Sequence, residues 1–166
     1  MKFRMFLVLA MTLMLASAVM GQTKVSGAEK CNVPNPNYSV NVGDRADHSI
    51  TLMQNTCDWT KPMEVDGIQS KQGHDTTVAE MTKTAMRFHG FHVSTMANGD
   101  KCFVRYQGSA PMVNGKPGNS SGTWSYDGGT GKFRSIKGKG NFKGTPAEDG
   151  SETVEVEGEY TLPARK

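Results

Sequence analysis

The chain has 166 residues, of which 36% are hydrophobic, 21% charged and 19 glycine. That length supports one domain with a real core, and the many glycines among short apolar runs favour strands over helices. The formal charge is only +3 and includes Lys2 and Arg4 at the extreme N-terminus. A nucleic-acid partner, which needs clustered and unbalanced cations, is therefore not expected.

Lys2 and Arg4 precede an apolar run over residues 5–16, and Ala16-Ser17-Ala18 follows with small side chains. Charged start, short apolar centre and small-residue end predict a secretory signal over residues 1–18, with Gly21 as the alternative cleavage point. The run is shorter than the roughly 20 residues a comfortable membrane span needs, and no cysteine directly follows it for lipid attachment. The mature chain is thus expected to be secreted or periplasmic, with no stable membrane anchor. Its charge falls to about +1 once Lys2 and Arg4 are removed. Residues 19–36 read as a flexible N-terminal segment and residues 37–166 as the folded domain.

Three cysteines allow one disulfide and leave one thiol. An oxidising compartment favours the bridge. Cys102 falls on an apolar face in the hairpin described below, so the expected pair is Cys31 with Cys57, and Cys102 is expected as a small buried hydrophobe.

Short strands are predicted over residues 38–42, 49–54, 64–72 and 75–85, with a turn near Gly73-His74. Asn98-Gly99 is the strongest short hairpin signal. A two-residue turn there pairs Val93 with Val104, Phe91 with Tyr106 and Thr95 with Cys102. Phe91, Val93, Cys102, Val104 and Tyr106 then share an apolar face, while His92, Ser94, Lys101, Phe103 and Arg105 lie opposite. Residues 110–121, rich in proline, glycine and serine, read as a mobile loop. Asp127 to Gly131 forms the next turn, with Trp124 and Tyr126 on one face before it and Ile136, Gly138, Gly140 and Phe142 on one face after it. Val154, Val156, Gly158, Tyr160 and Leu162 alternate with glutamates in the last strand. Facing Phe142 with Val154 puts Lys139 against Glu157 and Lys137 against Glu159, so the lysines form a charge-paired outer face, not an anion-binding stripe.

About eight strands of this kind predict an all-β fold, a single antiparallel eight-stranded barrel. Gly138, Gly140 and Gly158 repeat on its inward face. They either give room to the rings of Trp124, Tyr126 and Tyr160, or open a cavity for a small apolar ligand.

The stretch GGTGKF (residues 128–133), followed by GKGNFKG (138–144), resembles the allene oxide cyclase and dirigent superfamily of eight-stranded barrels. WTKPMEVDG (59–67) and HVSTMANGDKCFVRYQG (92–108) are similar to small exported bacterial proteins of that barrel type without assigned function. The resemblance implies a barrel whose interior holds a ligand, as plant cyclases hold an unstable oxygenated fatty-acid derivative. No pocket residue of that family matches a position here, so no catalytic residue is implied.

His89 and His92 are three apart and face opposite sides of a regular strand, and two ligands fall short of a zinc site. No metal site and no cofactor are therefore assigned. A serine elbow and a phosphate-binding loop are both missing from the sequence. The residues expected to line the interior are Phe91, Val93, Tyr106, Trp124, Tyr126, Phe142 and Tyr160. The functional expectation is an exported barrel that binds a small apolar ligand or serves as a stable scaffold. The alternative is a cyclase-like isomerase acting on an oxygenated lipid by positioning it and excluding water. Homo-oligomerisation is left open.

Overall fold

The computed structural model describes residues 22–163; the signal segment lies outside the described residues. Strands follow one another in chain order: β1 (Thr23–Cys31), β2 (Asn37–Asn41), β3 (Ser49–Lys61), β4 (Glu64–Val65), β5 (Ile68–Met81), β6 (Ala85–Met96), β7 (Lys101–Val113), β8 (Lys116–Pro117), β9 (Ser120–Gly129), β10 (Lys137–Pro146) and β11 (Glu152–Thr161). A short 3₁₀ turn, Gly131–Phe133, separates β9 from β10. All pairings are antiparallel. β1 pairs with β11 on one side and β3 on the other, and β3 pairs with β5, which closes the ring β1-β3-β5-β6-β7-β9-β10-β11. This is the expected all-β, eight-stranded antiparallel barrel. The three short strands are additions to it: β2 extends the sheet beside β3, and β4 and β8 form small hairpins with β5 and β7.

Residues 19–36 are not a flexible leader throughout, because residues 23–31 form β1. Val25, Gly27, Glu29 and Cys31 alternate inward there, against β11 and β3. Without this strand the barrel could not close, and its neighbours would present unpaired edges. Residues 73–74 are not a turn either. β5 runs through them, and the chain reverses earlier at Asp66-Gly67, where both residues have positive φ (52° and 74°) between the paired Val65 and Ile68. The stretch read as a loop over 110–121 contains a second such turn, Asn114-Gly115 (52° and 76°), between the paired Val113 and Lys116.

The β6–β7 turn departs from expectation in a way that changes which residues of β6 face inward. Its closing pair is Met96 with Asp100, so Ala97, Asn98 and Gly99 make a three-residue loop. Of these only Gly99 has positive φ (86°), and Asn98 Oδ1 instead accepts a hydrogen bond from the Asp100 amide. A type I turn followed by a left-handed glycine explains this geometry. The extra residue shifts β6 by one relative to β7, and with a side-chain period of two that exchanges the faces of β6. His92 now opposes Val104, Gly90 opposes Tyr106 and Ser94 opposes Cys102, while Phe91 opposes Arg105 and Val93 opposes Phe103. Phe91 and Val93 are therefore outside the barrel. Phe91 is 50% exposed, with the Arg105 guanidinium over its ring at 5.4 Å.

The β10–β11 register also differs, but by two residues. Phe142 opposes Val156, Gly140 opposes Gly158, and Lys139 opposes Glu159. An even shift leaves every side chain on its expected face; Lys139 and Lys143 still oppose glutamates outside, while Lys137 opposes Thr161 in place of Glu159.

One end of the barrel is filled. Val25, Met63, Val65, Met96, Cys102, Tyr126, Phe133, Ile136 and Tyr160 pack there, where the β4–β5 and β6–β7 turns and the 3₁₀ turn come together. Phe133 and Ile136 are fully buried, and the Asp66 amide donates to Tyr160 Oη at 2.9 Å. Cys102 sits in this plug, and burial raises its thiol pKa to about 12, which leaves it inert.

Candidate functional site: a half-empty barrel interior

The other half of the barrel is hollow. A cavity of about 500 Å³ is walled by Met53, Trp59, Met86, Phe88, Tyr106, Trp124 and Phe142, with Val104, Val154 and Val156 between them. Its mouth is formed by Pro34, the β8 hairpin and the 146–151 connection. The size falls within the range of small-molecule sites. The rings brace one another: Tyr106 and Phe142 meet edge-on at 6.1 Å, and Phe88 lies 6.1 Å from Phe142 and 6.3 Å from Tyr106.

Glycines on neighbouring strands seat these rings. A Cβ on Gly158 or Gly140 would collide with the Trp124 indole and with backbone across the sheet. With that space open, Trp124 Nε1–H reaches the carbonyls of Asn141 and Glu157, each at 3.2 Å. The inward glycines thus relieve ring crowding, as the plainer sequence reading has it, and the cavity exists beside the rings they seat.

A polar cluster is set into this apolar wall by three strands. β1 brings Glu29, β5 brings Asp75 and β6 brings His92. Glu29 is 4% exposed and His92 8%. His92 Nδ1–H donates to Asp75 Oδ1 at 3.1 Å, and Glu29 Oε1 lies 3.8 Å from the same nitrogen. Burial opposes a charge on the imidazole, but Asp75 and then Glu29 more than offset it, and the His92 pKa rises to about 9. Burial dominates at Glu29 and, with Asp75 and Glu152 adding repulsion against the pull of His92, raises its pKa to about 7. Nearby, Ser120 Oγ–H donates to Glu152 Oε1 at 2.9 Å, and Thr77 shares a 2.5 Å hydrogen bond with Tyr106 Oη.

Three buried polar atoms among the described residues have no partner: Glu29 Oε2, His92 Nε2 and Trp59 Nε1. All three side chains line the cavity. Trp59 meets the His92 ring edge-on at 6.2 Å. Buried polar groups are normally paired, so three unpaired side chains on one cavity wall mark this wall as the candidate site.

The predicted disulfide forms: Cys31 and Cys57 oppose each other on β1 and β3 and are bonded. Asp75 Oδ2 lies 3.1 Å from Cys57 Sγ; a disulfide sulfur has no proton, so this is a close contact and not a hydrogen bond. Glu29, Asp75 and the two sulfurs stand close enough to share an ion, but the bridge consumes both thiolates, and two carboxylates alone do not make a tetrahedral site. His89 is exposed and His92 buried, so the strand does place them on opposite faces.

Of the expected interior residues, Tyr106, Trp124 and Phe142 line the cavity, Tyr126 and Tyr160 belong to the plug, and Phe91 and Val93 lie outside. Glu29, Trp59, Asp75 and His92 were not among the expected residues. Glu29 carries a readable signal, since it shares parity with Val25, Gly27 and Cys31. His92 shares parity with Ser94 and Met96, but the turn length hides which side that is.

The sequence matches no family model and no curated protein. Solved structures do share its shape. A protein of unknown function from the DUF3224 family of Shewanella oneidensis superposes with a TM-score of 0.56, at 14% identity, over 87% of this chain and 100% of that one. The pterocarpan synthase dirigent protein GePTS1 superposes with a TM-score of 0.52, at 15% identity, over 89% of each chain. The chain has a dirigent-type barrel. At these identities the likeness concerns the fold alone; a shared barrel does not carry a reaction with it.

Proposed function

We propose that this protein is an exported barrel that binds a small, largely apolar ligand in its half-empty interior. The observation that carries the reading is the cavity of about 500 Å³, whose lining residues carry the three unpartnered buried side-chain polar atoms found among the described residues. A stable scaffold would gain by filling that volume with side chains and by pairing those atoms. Export is supported by the N-terminal signal pattern and the Cys31–Cys57 bridge, which persists in oxidising compartments. No helix among the described residues is long and apolar enough to cross a membrane. Native mass spectrometry of protein purified from its own host tests the reading. A stoichiometric small-molecule adduct that disappears on denaturation is expected, and repeated preparations without one contradict it.

A second reading, isomerase activity on an oxygenated apolar substrate, is favoured by one observation. Glu29, with its pKa raised to about 7 by burial, sits in the same cavity as the cationic His92. A carboxyl poised near neutral pH suits general acid–base work. A fold neighbour named a synthase is consistent with such a role. Turnover that follows the ionisation of Glu29 and is lost in Glu29→Gln supports this reading; equal turnover in both forms contradicts it.

A further inference from the structure

Taking the cavity as a ligand site, as above, we propose that its occupant is an uncharged molecule with an apolar body and a hydroxyl group, the hydroxyl held between His92 and Glu29 with Trp59 beside them. The unpartnered atoms are one carboxyl oxygen and two ring nitrogens. His92 Nδ1 is engaged with Asp75, so the protonated ring offers its Nε2–H, and Trp59 offers an indole N–H. A hydroxyl has one donor and two acceptor lone pairs, which matches one acceptor and two donors. A ketone or ether oxygen would leave Glu29 Oε2 unpaired. An amine would set a second cation beside the imidazolium.

The absent side chain of Gly73 on β5 lets the His92 ring come this close to Glu29. A Cβ there would stand 2.9 Å from His92 Nε2 and 3.0 Å from Glu29 Oε2, and would collide with the His92 ring. The two unpartnered atoms therefore lie beside one point, near enough to each other for a single oxygen to bond both. Any larger residue at this position would push the His92 ring away.

Charge excludes the commonest apolar metabolites with a polar head, the carboxylates. The cavity and its mouth are lined by Glu29, Asp75, Glu148, Asp149 and Glu152 against only His92 and Lys116. His92 is already neutralised by Asp75, and a fatty-acid anion would add a further negative charge next to Glu29 without a free cation inside to receive it.

Both tryptophans of the chain, Trp59 and Trp124, line the cavity, so intrinsic fluorescence reports occupancy. Three probes of one chain length, 1-octanol, 1-chlorooctane and octanoate, are titrated at pH 8. The expected order is 1-octanol at least tenfold tighter than 1-chlorooctane, with octanoate weakest. His92→Gln should bring 1-octanol to the level of 1-chlorooctane and leave 1-chlorooctane unchanged. Trp59→Phe, which removes the indole N–H and keeps a ring, should weaken 1-octanol several-fold, and it provides the test should His92→Gln not fold. Equal binding of 1-octanol and 1-chlorooctane, or strongest binding of octanoate, overturns the hydroxyl assignment while leaving a ligand cavity. Binding of none of the three overturns the cavity reading itself.

Discussion

Glu29 and His92 decide how stability responds to pH. An ordinary glutamate titrates near 4.5, and burial moves Glu29 to about 7. Between those values the folded chain holds a proton that the unfolded chain has lost, so stability falls as pH rises through this window. His92 is raised from 6.5 to about 9. Its contribution is complete below pH 6.5 and is lost as pH climbs through 9. The two windows run in the same direction and are each worth on the order of 3 kcal/mol. Calorimetry should therefore show a melting temperature that declines steadily from pH 5 to pH 9.5. Glu29→Gln should flatten the lower half of that decline. A melting temperature that rises from pH 5 to 7 would mean that Glu29 is solvated or firmly ion-paired, contrary to its position.

Single residues also set what the sequence hides at the level of elements. Asn98-Gly99, Asp66-Gly67 and Asn114-Gly115 look alike as dipeptides, yet only the last two form two-residue turns with positive φ at both positions. Asn98 turns its side chain onto the Asp100 amide, and the loop takes a third residue. Local sequence signals a reversal there but not its length, and one residue of length exchanges the faces of β6. The apolar pattern cannot correct the error, because β6 is ambiguous: Phe91 and Val93 look like core residues, while its real inward face runs Met86, Phe88, Gly90, His92, Ser94 and Met96. The β10–β11 pair shows the opposite case. Its offset of two residues harms nothing, since parity is preserved. Denaturant unfolding separates the two registers of β6. Phe91→Thr should cost under about 1 kcal/mol, the scale of its cation–π contact with Arg105, whereas Ile136→Ala in the plug should cost about 2–5 kcal/mol. A Phe91 loss as large as the Ile136 loss would place Phe91 inside the barrel.

At the scale of the whole molecule, the all-β class, antiparallel closure, the Cys31–Cys57 bridge and the buried Cys102 were legible, because each follows from parity, turns or cysteine arithmetic; the count of eight holds although β5 reads as two strands, β2 is counted and β1 is omitted. The share of the barrel contributed by β1 was not, since VSGAEKC shows only a weak alternation and its glycine and glutamate face inward. The site was not legible for a related reason. Its acid, base and indole come from β1, β3, β5 and β6 and meet only after closure. The disulfide ties β1 to β3 beside that cluster, closing a loop between residues 26 apart. Cys57→Ala should cost about 3 kcal/mol in the chain-entropy model, read as a lower denaturation midpoint. Thiol labelling of the unreduced wild type should modify Cys102, and only after unfolding. Rapid labelling of Cys31 or Cys57 in the native protein would contradict the bridge.

The interior beside Trp124 is open and apolar. Xenon-pressurised crystals probe it, because xenon enters dry apolar cavities. Ordered xenon is predicted among Phe88, Tyr106, Trp124 and Phe142. An interior without xenon, with those four rings collapsed onto one another, would contradict the account.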